Sequence, residues 1–268
     1  MGKRIRFNRC FAIVLCVLLA SGGYAQEADK NFVPHSGQDG KDVVWVPTPQ
    51  ELVDTMLALA KVTSADYVID LGSGDGRLVI TAAKRGATAL GIEYNPDMVE
   101  LARRTAREEG VSAKAKFEKA DIFESDFSKA TVITLFLLND INLRLRPKIL
   151  DMKPGTRIVS NTFDMSDWKP DRTAQTTEDT YWNTANLWIV PAKVEGNWKM
   201  DGGKINFSQE FQYVTGTLTV GNQEMELSGK LDGDKISFNA GGTEYTGTVS
   251  GSSISGKRSG GSTWKATR

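Results

Sequence analysis

The 268-residue sequence has little of the chemistry that metal sites and thiol catalysis need. Its one histidine is His35, and its two cysteines, Cys10 and Cys16, both lie near the N-terminus. Structural zinc sites draw most of their ligands from cysteine and histidine, and a thiol catalyst takes a cysteine beside a base. The sequence therefore predicts neither kind of site, and we expect no metal.

Net charge is also absent, because 33 Lys and Arg balance 33 Asp and Glu. Proteins that bind nucleic acid or anionic membrane surfaces carry a marked basic excess. We therefore expect no nucleic-acid partner. Removal of residues 1–25 would take away four basic residues and no acid, so the net charge would become 0 − 4 = −4.

The apolar run near the N-terminus is shorter than the roughly 20 residues that span a bilayer. This run, "CFAIVLCVLLA", follows the basic "MGKRIRFNR" and precedes the small and polar "SGGYAQ". That order is typical of a secretory signal peptide. We expect cleavage after Ala25, export to the bacterial periplasm or cell envelope, and membrane contact only if residues 1–25 stay uncleaved.

Residues 45–192 alternate between strand and helix patterns. Continuous apolar stretches such as "DYVIDL" and "TVITLFLL" predict buried strands. The intervening "NPDMVELARRTAREEG" predicts a helix with Asn95 as its cap, Pro96 in its first turn and Gly110 at its end. This alternation predicts an α/β fold, a doubly wound and mostly parallel sheet with helices on both faces. Residues 26–44 are expected to form a flexible segment before it.

From about Val194 the sequence is rich in glycine, serine and threonine, and its strands are short and alternating. Turns such as "DGG" and "DGD" separate them, a pattern that predicts an all-β antiparallel barrel over residues 193–268. We expect this domain to take no part in the chemistry of the first. The predicted barrel core consists of Trp198, Ile205, Phe207, Phe211, Leu218, Leu227, Ile236, Phe238, Tyr245, Ile254 and Trp264.

A glycine-rich turn follows the first strand in "VIDLGSGDGR". Glycines let the backbone turn sharply and bring N–H groups against a ligand. The spacing is neither the G-x-G-x-x-G of dinucleotide folds nor a phosphate loop with its Lys-Ser/Thr. Asp70 and Asp75 add negative charge there. This charge favours a ligand with cationic parts, such as a sulfonium with an α-amino group.

Two further acids end predicted strands. Glu93 lies roughly 20 residues after the glycine turn, where an acid accepts hydrogen bonds from ribose hydroxyls. Asp121 ends the third strand and precedes Ile122. An acid followed by an apolar residue can receive an adenine amino group and pack against its ring.

These motifs resemble those of the class I S-adenosylmethionine-dependent methyltransferases. "DLGSGDGR", "GIEYNPDMVELAR" and "KADIF" are similar to the three cofactor motifs of that family. "WVPTPQELVDTML", "LLNDINLRLRPKIL" and "GTRIVSNTFDMSDW" resemble a narrower branch. That branch includes small bacterial methyltransferases and the mitochondrial lysine methyltransferases that modify the adenine nucleotide translocase and the c subunit of ATP synthase. The resemblance covers residues 45–191.

The resemblance implies a seven-stranded Rossmann-like sheet, S-adenosyl-L-methionine as cofactor, and a methyl-acceptor substrate, with protein lysine as the suggested class. The glycine turn would wrap the methionine moiety, the later acids would bind ribose and adenine, and a ring would cover the cofactor from the N-terminal side. The implied cofactor residues are Trp45, Asp70, Gly72, Gly74, Gly76, Glu93, Asp121 and Ile122. Asn139, Asp140 and Asn161 are the candidate catalytic residues, expected in loops at the carboxyl ends of strands.

Two other functions remain open at this level. One is a small-molecule methyltransferase. The other is an exported binding protein that keeps the fold without transferase activity and uses the barrel as its interaction module. Export favours the second alternative, since S-adenosylmethionine is made in the cytoplasm, whereas the complete set of cofactor motifs favours an enzyme.

Overall fold

The computed structural model describes Gly2 and residues 32–177 and 181–268. Apart from Gly2, the predicted signal segment, residues 1–25, lies outside the described residues. Within the described ranges, no helix is both long enough and apolar enough to cross a membrane.

Seven strands of the described chain form one mixed sheet, and four helices accompany it. The strands are β1 Tyr67–Leu71, β2 Thr88–Glu93, β3 Ala115–Lys119, β4 Val132–Leu135, β5 Arg157–Asn161, β6 Arg172–Gln175 and β7 Thr184–Ile189. The helices are α1 Gln50–Leu59, α2 Arg77–Lys84, α3 Pro96–Glu108 and α4 Asn139–Leu150.

The strand order is β3-β2-β1-β4-β5-β7-β6. The first five strands in that order run parallel, and β7 is antiparallel to both of its neighbours. The predicted α/β fold with a mostly parallel seven-stranded sheet is therefore confirmed. No apolar or alternating sequence pattern predicts the edge strand β6, because its residues are largely exposed.

Alternate residues of the central strands pack into two separate hydrophobic cores, because successive strand side chains point to opposite faces of the sheet. Val68 packs with buried residues of α1, α2 and α3. Its neighbour Ile69 packs on the other face with residues of α4 and with Trp168. The sheet thus has helices on both faces, and its carboxyl edge is left to the loops that follow each strand.

Eight further strands close into a barrel in the order β10-β11-β12-β13-β14-β15-β8-β9. They are β8 Gly196–Met200, β9 Gly203–Glu210, β10 Tyr213–Val220, β11 Gln223–Asp232, β12 Lys235–Ala240, β13 Thr243–Ser250, β14 Ser253–Arg258 and β15 Thr263–Thr267. Pairing of β15 with β8 closes the ring. The predicted antiparallel barrel is confirmed, and buried aromatic and aliphatic side chains form its core.

One residue of the predicted barrel core lies elsewhere. Phe211 sits in the turn between β9 and β10 with φ of 51°, outside the strand alternation. This left-handed conformation ends the strand, and the ring stacks on Trp168 of the sheet domain, with ring centroids 5.8 Å apart. The prediction for Phe211 was therefore wrong, because a pattern of alternation does not extend through a hairpin turn.

Candidate active site

An open cleft of about 970 Å³, measured with its solvent-filled mouth, lies at the carboxyl edge of the sheet. Its walls are residues 38–48, the glycine turn and the ends of β2, β3 and β4. The cleft brings together seven of the predicted cofactor residues: Trp45, Asp70, Gly72, Gly74, Glu93, Asp121 and Ile122.

The glycine turn needs its glycines for different reasons. All three have positive φ, at 79° for Gly72, 53° for Gly74 and 84° for Gly76. A Cβ at Gly74 would lie 2.5 Å from the Trp45 indole nitrogen, so the ring occupies the space of a side chain. A Cβ at Gly76 would lie 2.6 Å from the ring of Phe117. Gly76 does not line the cleft, and its contacts are those of internal packing.

Glu93, the last residue of β2, binds the glycine turn through its carboxylate. Its Oε2 accepts from the Gly74 N–H at 2.9 Å, and its Oε1 accepts from the Asn95 N–H at 2.8 Å. A carboxylate has about four acceptor positions, so two backbone donors leave capacity for ligand hydroxyls. The carboxylate is thereby fixed at the wall of the cleft before any ligand arrives.

Asp70 is a buried acid at the end of β1, with 3% of its surface exposed. Burial is the main cause that raises the pKa of Asp70 to about 7, and the charges of Glu93 and Asp75 raise it further. The hydroxyl of Thr134, which donates to Oδ1 at 2.5 Å, opposes this rise. A cation in the cleft would favour the charged carboxylate.

Asp121 meets the N-terminal segment across the cleft. Lys41 donates to its Oδ2, and the Phe123 N–H donates to Oδ1 at 2.9 Å. These two hydrogen bonds hold the pKa of Asp121 below its usual value. The Lys41 ammonium also lies 5.0 Å from the ring centroid of Tyr94. Lys41 thus links the N-terminal segment to the residues that follow β2 and β3 at the wall of the cleft.

Part of the predicted flexible segment, residues 26–44, is paired in the structure. The Gly37 N–H donates to the Trp45 carbonyl at 2.8 Å, and the Trp45 N–H donates to the Gln38 carbonyl at 2.9 Å. The Arg77 guanidinium holds the chain that follows, since it donates to the Thr48 carbonyl at 2.7 Å. The segment from Gly37 to Thr48, called the strap below, therefore forms an ordered wall of the cleft.

The three candidate catalytic residues do not lie in loops, which corrects that expectation. Asn139 and Asp140 are the first residues of α4, and Asn161 is the last residue of β5. Asn139 donates to the carboxylate of Asp164, and the buried Asn161 donates to the Thr48 hydroxyl at 3.3 Å. None of the three lines the cleft. The hydrogen bonds of Asn139 and Asn161 link separate segments of the chain. A catalytic role for the three residues stays a prediction.

Sequence reasoning missed an aromatic cluster beside the cleft. Phe136 comes just after β4, and Phe163 comes just after β5. Trp182 comes shortly before β7. The Phe136 ring centroid lies 6.1 Å from that of Phe163 and 5.3 Å from that of Trp182, and the last two are 5.5 Å apart. Phe136 also lines the cleft. An aromatic residue just after two neighbouring strands was the signal that could have indicated the cluster.

The sequence is similar to those of known methyltransferases. The family model of the ANTKMT methyltransferase domain matches residues 70–172. A protein-lysine N-methyltransferase of Saccharolobus islandicus is 39% identical over 163 residues, which are 60% of this chain and 97% of that protein. The human lysine N-methyltransferase of the ATP synthase c subunit is 33% identical over 139 residues, which are 52% of this chain and 59% of that protein.

One solved methyltransferase structure is also similar to this chain. An RNA methyltransferase from Salinibacter ruber, in complex with S-adenosyl-L-homocysteine, is 47% identical with a TM-score of 0.52. The match covers 56% of this chain and 96% of that one. The chain therefore belongs to the class I S-adenosylmethionine-dependent methyltransferases, in the branch of these lysine methyltransferases, and S-adenosylmethionine is its cofactor.

Proposed function

We propose that the acceptor of this methyltransferase is the side-chain amine of a protein lysine. The observation that carries the proposal is the aromatic cluster of Phe136, Phe163 and Trp182 beside the cofactor cleft. Aromatic faces attract ammonium and methylammonium groups and pack against the aliphatic stem of a lysine. The names of the lysine methyltransferase relatives support the same acceptor class.

The residues of the cleft fit the cofactor. We propose that Gly72 and Gly74 bring backbone against its methionine moiety and that Asp70 neutralises its amino group. Glu93 would accept from its ribose, and Asp121 with Ile122 would hold its adenine. The support is that Gly72 and Gly74 line the cleft and that the buried carboxyl of Asp70 lacks a cationic partner among the described residues.

Bound S-adenosylmethionine supplies a methyl group on a sulfonium sulfur. The acceptor lysine must then present a neutral amine in line with that methyl group, and this chain must hold the amine there and exclude water. Apolar surroundings lower the pKa of a lysine ammonium because burial disfavours its charged form. The rings act in two opposed ways: their attraction for ammonium draws the acceptor in, and the desolvation that they impose favours the neutral amine. The released proton can pass to solvent at the open mouth of the cleft.

RNA is the second acceptor class to consider, because the Salinibacter relative is described as an RNA methyltransferase. The charge balance of this chain, 33 basic against 33 acidic residues, weighs against it. Binding to a polyanion draws its affinity from basic residues that neutralise phosphates.

The test offers labelled S-adenosylmethionine to three acceptors: cell protein, the same protein with its amines acetylated, and cell RNA. We expect label in the untreated protein, recovered as methyl-lysine after hydrolysis, and background label in the other two. The Gly74→Val variant supplies the background. Label in RNA, or label that survives acetylation of the protein, would contradict a lysine acceptor.

A pair of variants connects the acceptor to the aromatic cluster. Phe163→Ala removes one ring of the cluster without altering the lining of the cofactor cleft. We expect it to reduce methylation on the order of tenfold, a loss typical of one desolvated cation–π contact, with unchanged cofactor affinity. Tyr181→Ala is the control, because Tyr181 is 94% exposed next to the cluster. Equal activity of the two variants would contradict a role for the cluster.

We also propose export, supported by the basic, apolar and small-residue order of residues 1–25. The exported chain is expected to begin at Gln26 and to reach the periplasm or cell envelope. Mass spectrometry of the N-terminal peptide from fractionated cells measures this, and an intact Met1 in the cytoplasmic fraction would exclude it.

A further inference from the structure

The hairpin tip between β9 and β10 packs into the methyltransferase domain. The Phe211 ring stacks on Trp168 at 5.8 Å with an interplanar angle of 15°, and the Arg146 guanidinium of α4 lies 5.3 Å from the same ring. The next residue, Gln212, is fully buried and donates to the Lys169 carbonyl at 2.9 Å. The tip therefore contributes both apolar and polar contacts to the other domain.

The segment that receives this tip, residues 162–169, leads directly to the acceptor side of the cleft. Phe163 belongs to the aromatic cluster. The Asp164 carboxylate accepts from Asn139 at the start of α4, and its carbonyl accepts from Asn142 at 3.2 Å. Arg146 donates to the Met165 carbonyl at 2.9 Å. One short stretch of chain thus joins the barrel contact to the acceptor site.

The backbone of this region is strained. Thr162 has φ of 57° and Ser166 has φ of 60°, and Phe211 itself has φ of 51°. A β-branched residue such as Thr162 avoids the left-handed region. Such conformations persist only where the surroundings impose them, and they concentrate at functional sites.

The barrel is not needed for the cofactor site of the family. The 163 aligned residues make up 97% of the Saccharolobus relative, so that protein is too short to hold both the sheet domain and a barrel of this size. The family match likewise lies within residues 70–172. A barrel that contacts the acceptor side is therefore an addition to a complete cofactor-binding domain.

We propose that the barrel acts in methyl transfer through Phe211, a positioning residue that holds residues 162–169, and with them Phe163, in the conformation that receives the acceptor. The proposal rests on the proposed lysine acceptor for the identity of what is received. It revises the sequence-based expectation that the barrel takes no part in the chemistry. Its place of action is the acceptor side, so cofactor binding is unaffected.

The experiment compares Phe211→Ala, Phe211→Tyr and Tyr213→Ala in the full chain. Tyr213 lies on the same hairpin and is 47% exposed. We expect Phe211→Ala to keep the wild-type affinity for S-adenosylmethionine but to lose activity by up to roughly tenfold, the loss expected on removal of the Phe163 ring itself. With cell protein as the acceptor, the loss should appear as a raised half-saturating protein concentration more than as a lower rate at saturation. Phe211→Tyr, which keeps the stacked ring, should restore activity, and Tyr213→Ala should behave as wild type.

Hydrogen exchange provides a readout that needs no acceptor. Amides of residues 162–169 should exchange faster in Phe211→Ala, while those of the glycine turn should not change. Wild-type exchange in this segment, or wild-type acceptor kinetics, would overturn the proposal. A failure of the lysine proposal is distinguishable, since it appears as absent methyl-lysine in the wild-type protein itself.

Discussion

The Gly74→Val variant is expected to lose S-adenosylmethionine binding by roughly 100-fold or more, the equivalent of about 2.7 kcal/mol. The new Cβ would lie 2.5 Å from the indole nitrogen and 2.9 Å from Cδ1 of Trp45. Neither distance is tolerable, so the ring or the turn must move. A β-branched residue is also strained at the φ of 53° that Gly74 adopts.

Movement of either group damages the cleft. Trp45 belongs to the strap, and the Gly74 N–H holds the Glu93 carboxylate in place at 2.9 Å. A shift of the turn would therefore displace the acid expected to bind the ribose, and a shift of the ring would open the strap. Isothermal titration of S-adenosylmethionine into each protein measures the loss.

Gly110→Val is the matched control. Gly110 has φ of 69°, so valine is strained there too, but nothing lies within 4 Å of a Cβ at that position. This variant should lose thermal stability without losing cofactor affinity. Wild-type affinity in Gly74→Val would show that the cofactor does not bind against this turn.

The affinity for S-adenosylmethionine is expected to fall as the pH is lowered below about 7. The free protein holds Asp70 with its pKa raised to about 7, chiefly because the group is buried. Below that value Asp70 is neutral and no longer attracts the amino group of the cofactor. Each pH unit below the pKa then costs up to about tenfold in affinity, so the change from pH 8 to pH 5 approaches roughly 100-fold.

The stability of the free protein should change in the opposite direction. The folded pKa of Asp70 lies above its unfolded value of 3.8, so the folded state binds the proton more tightly. The contribution of Asp70 to folding stability is therefore largest at low pH and declines as the pH rises from about 4 through about 7. Burial of this acid destabilises the free protein at neutral pH, and a cationic ligand offsets that cost.

Titrations at several pH values test the assignment. Asp70→Asn should bind the cofactor weakly at pH 8 and show a flat profile. His35→Gln removes the single histidine of the chain and should keep the wild-type profile. A wild-type affinity that is independent of pH between 5 and 8 would exclude Asp70 as the partner of the amino group.

The meeting of the glycine turn and the strand-end acids in one cleft was predictable because its determinants are local. Gly72 and Gly74 are needed for backbone conformations within a single turn, and Glu93 is the last residue of its strand. Parallel strands then bring all such turns to one edge. The acceptor side was less predictable. Asn161 was expected in a loop, yet it is buried at the end of β5. Its hydrogen-bond partner Thr48 lies 113 residues away in the chain, so no local pattern indicates this contact.

By itself, the sequence determined the two domains, their α/β and all-β classes, and the cofactor motifs, because strand and helix periodicity and turn chemistry depend on neighbouring residues. Only the tertiary structure decided that Phe136, Phe163 and Trp182 meet, and that Phe211 leaves the barrel to stack on Trp168. These contacts join residues far apart in the chain. Their geometry follows from how the sheet and the barrel pack, which no local pattern encodes.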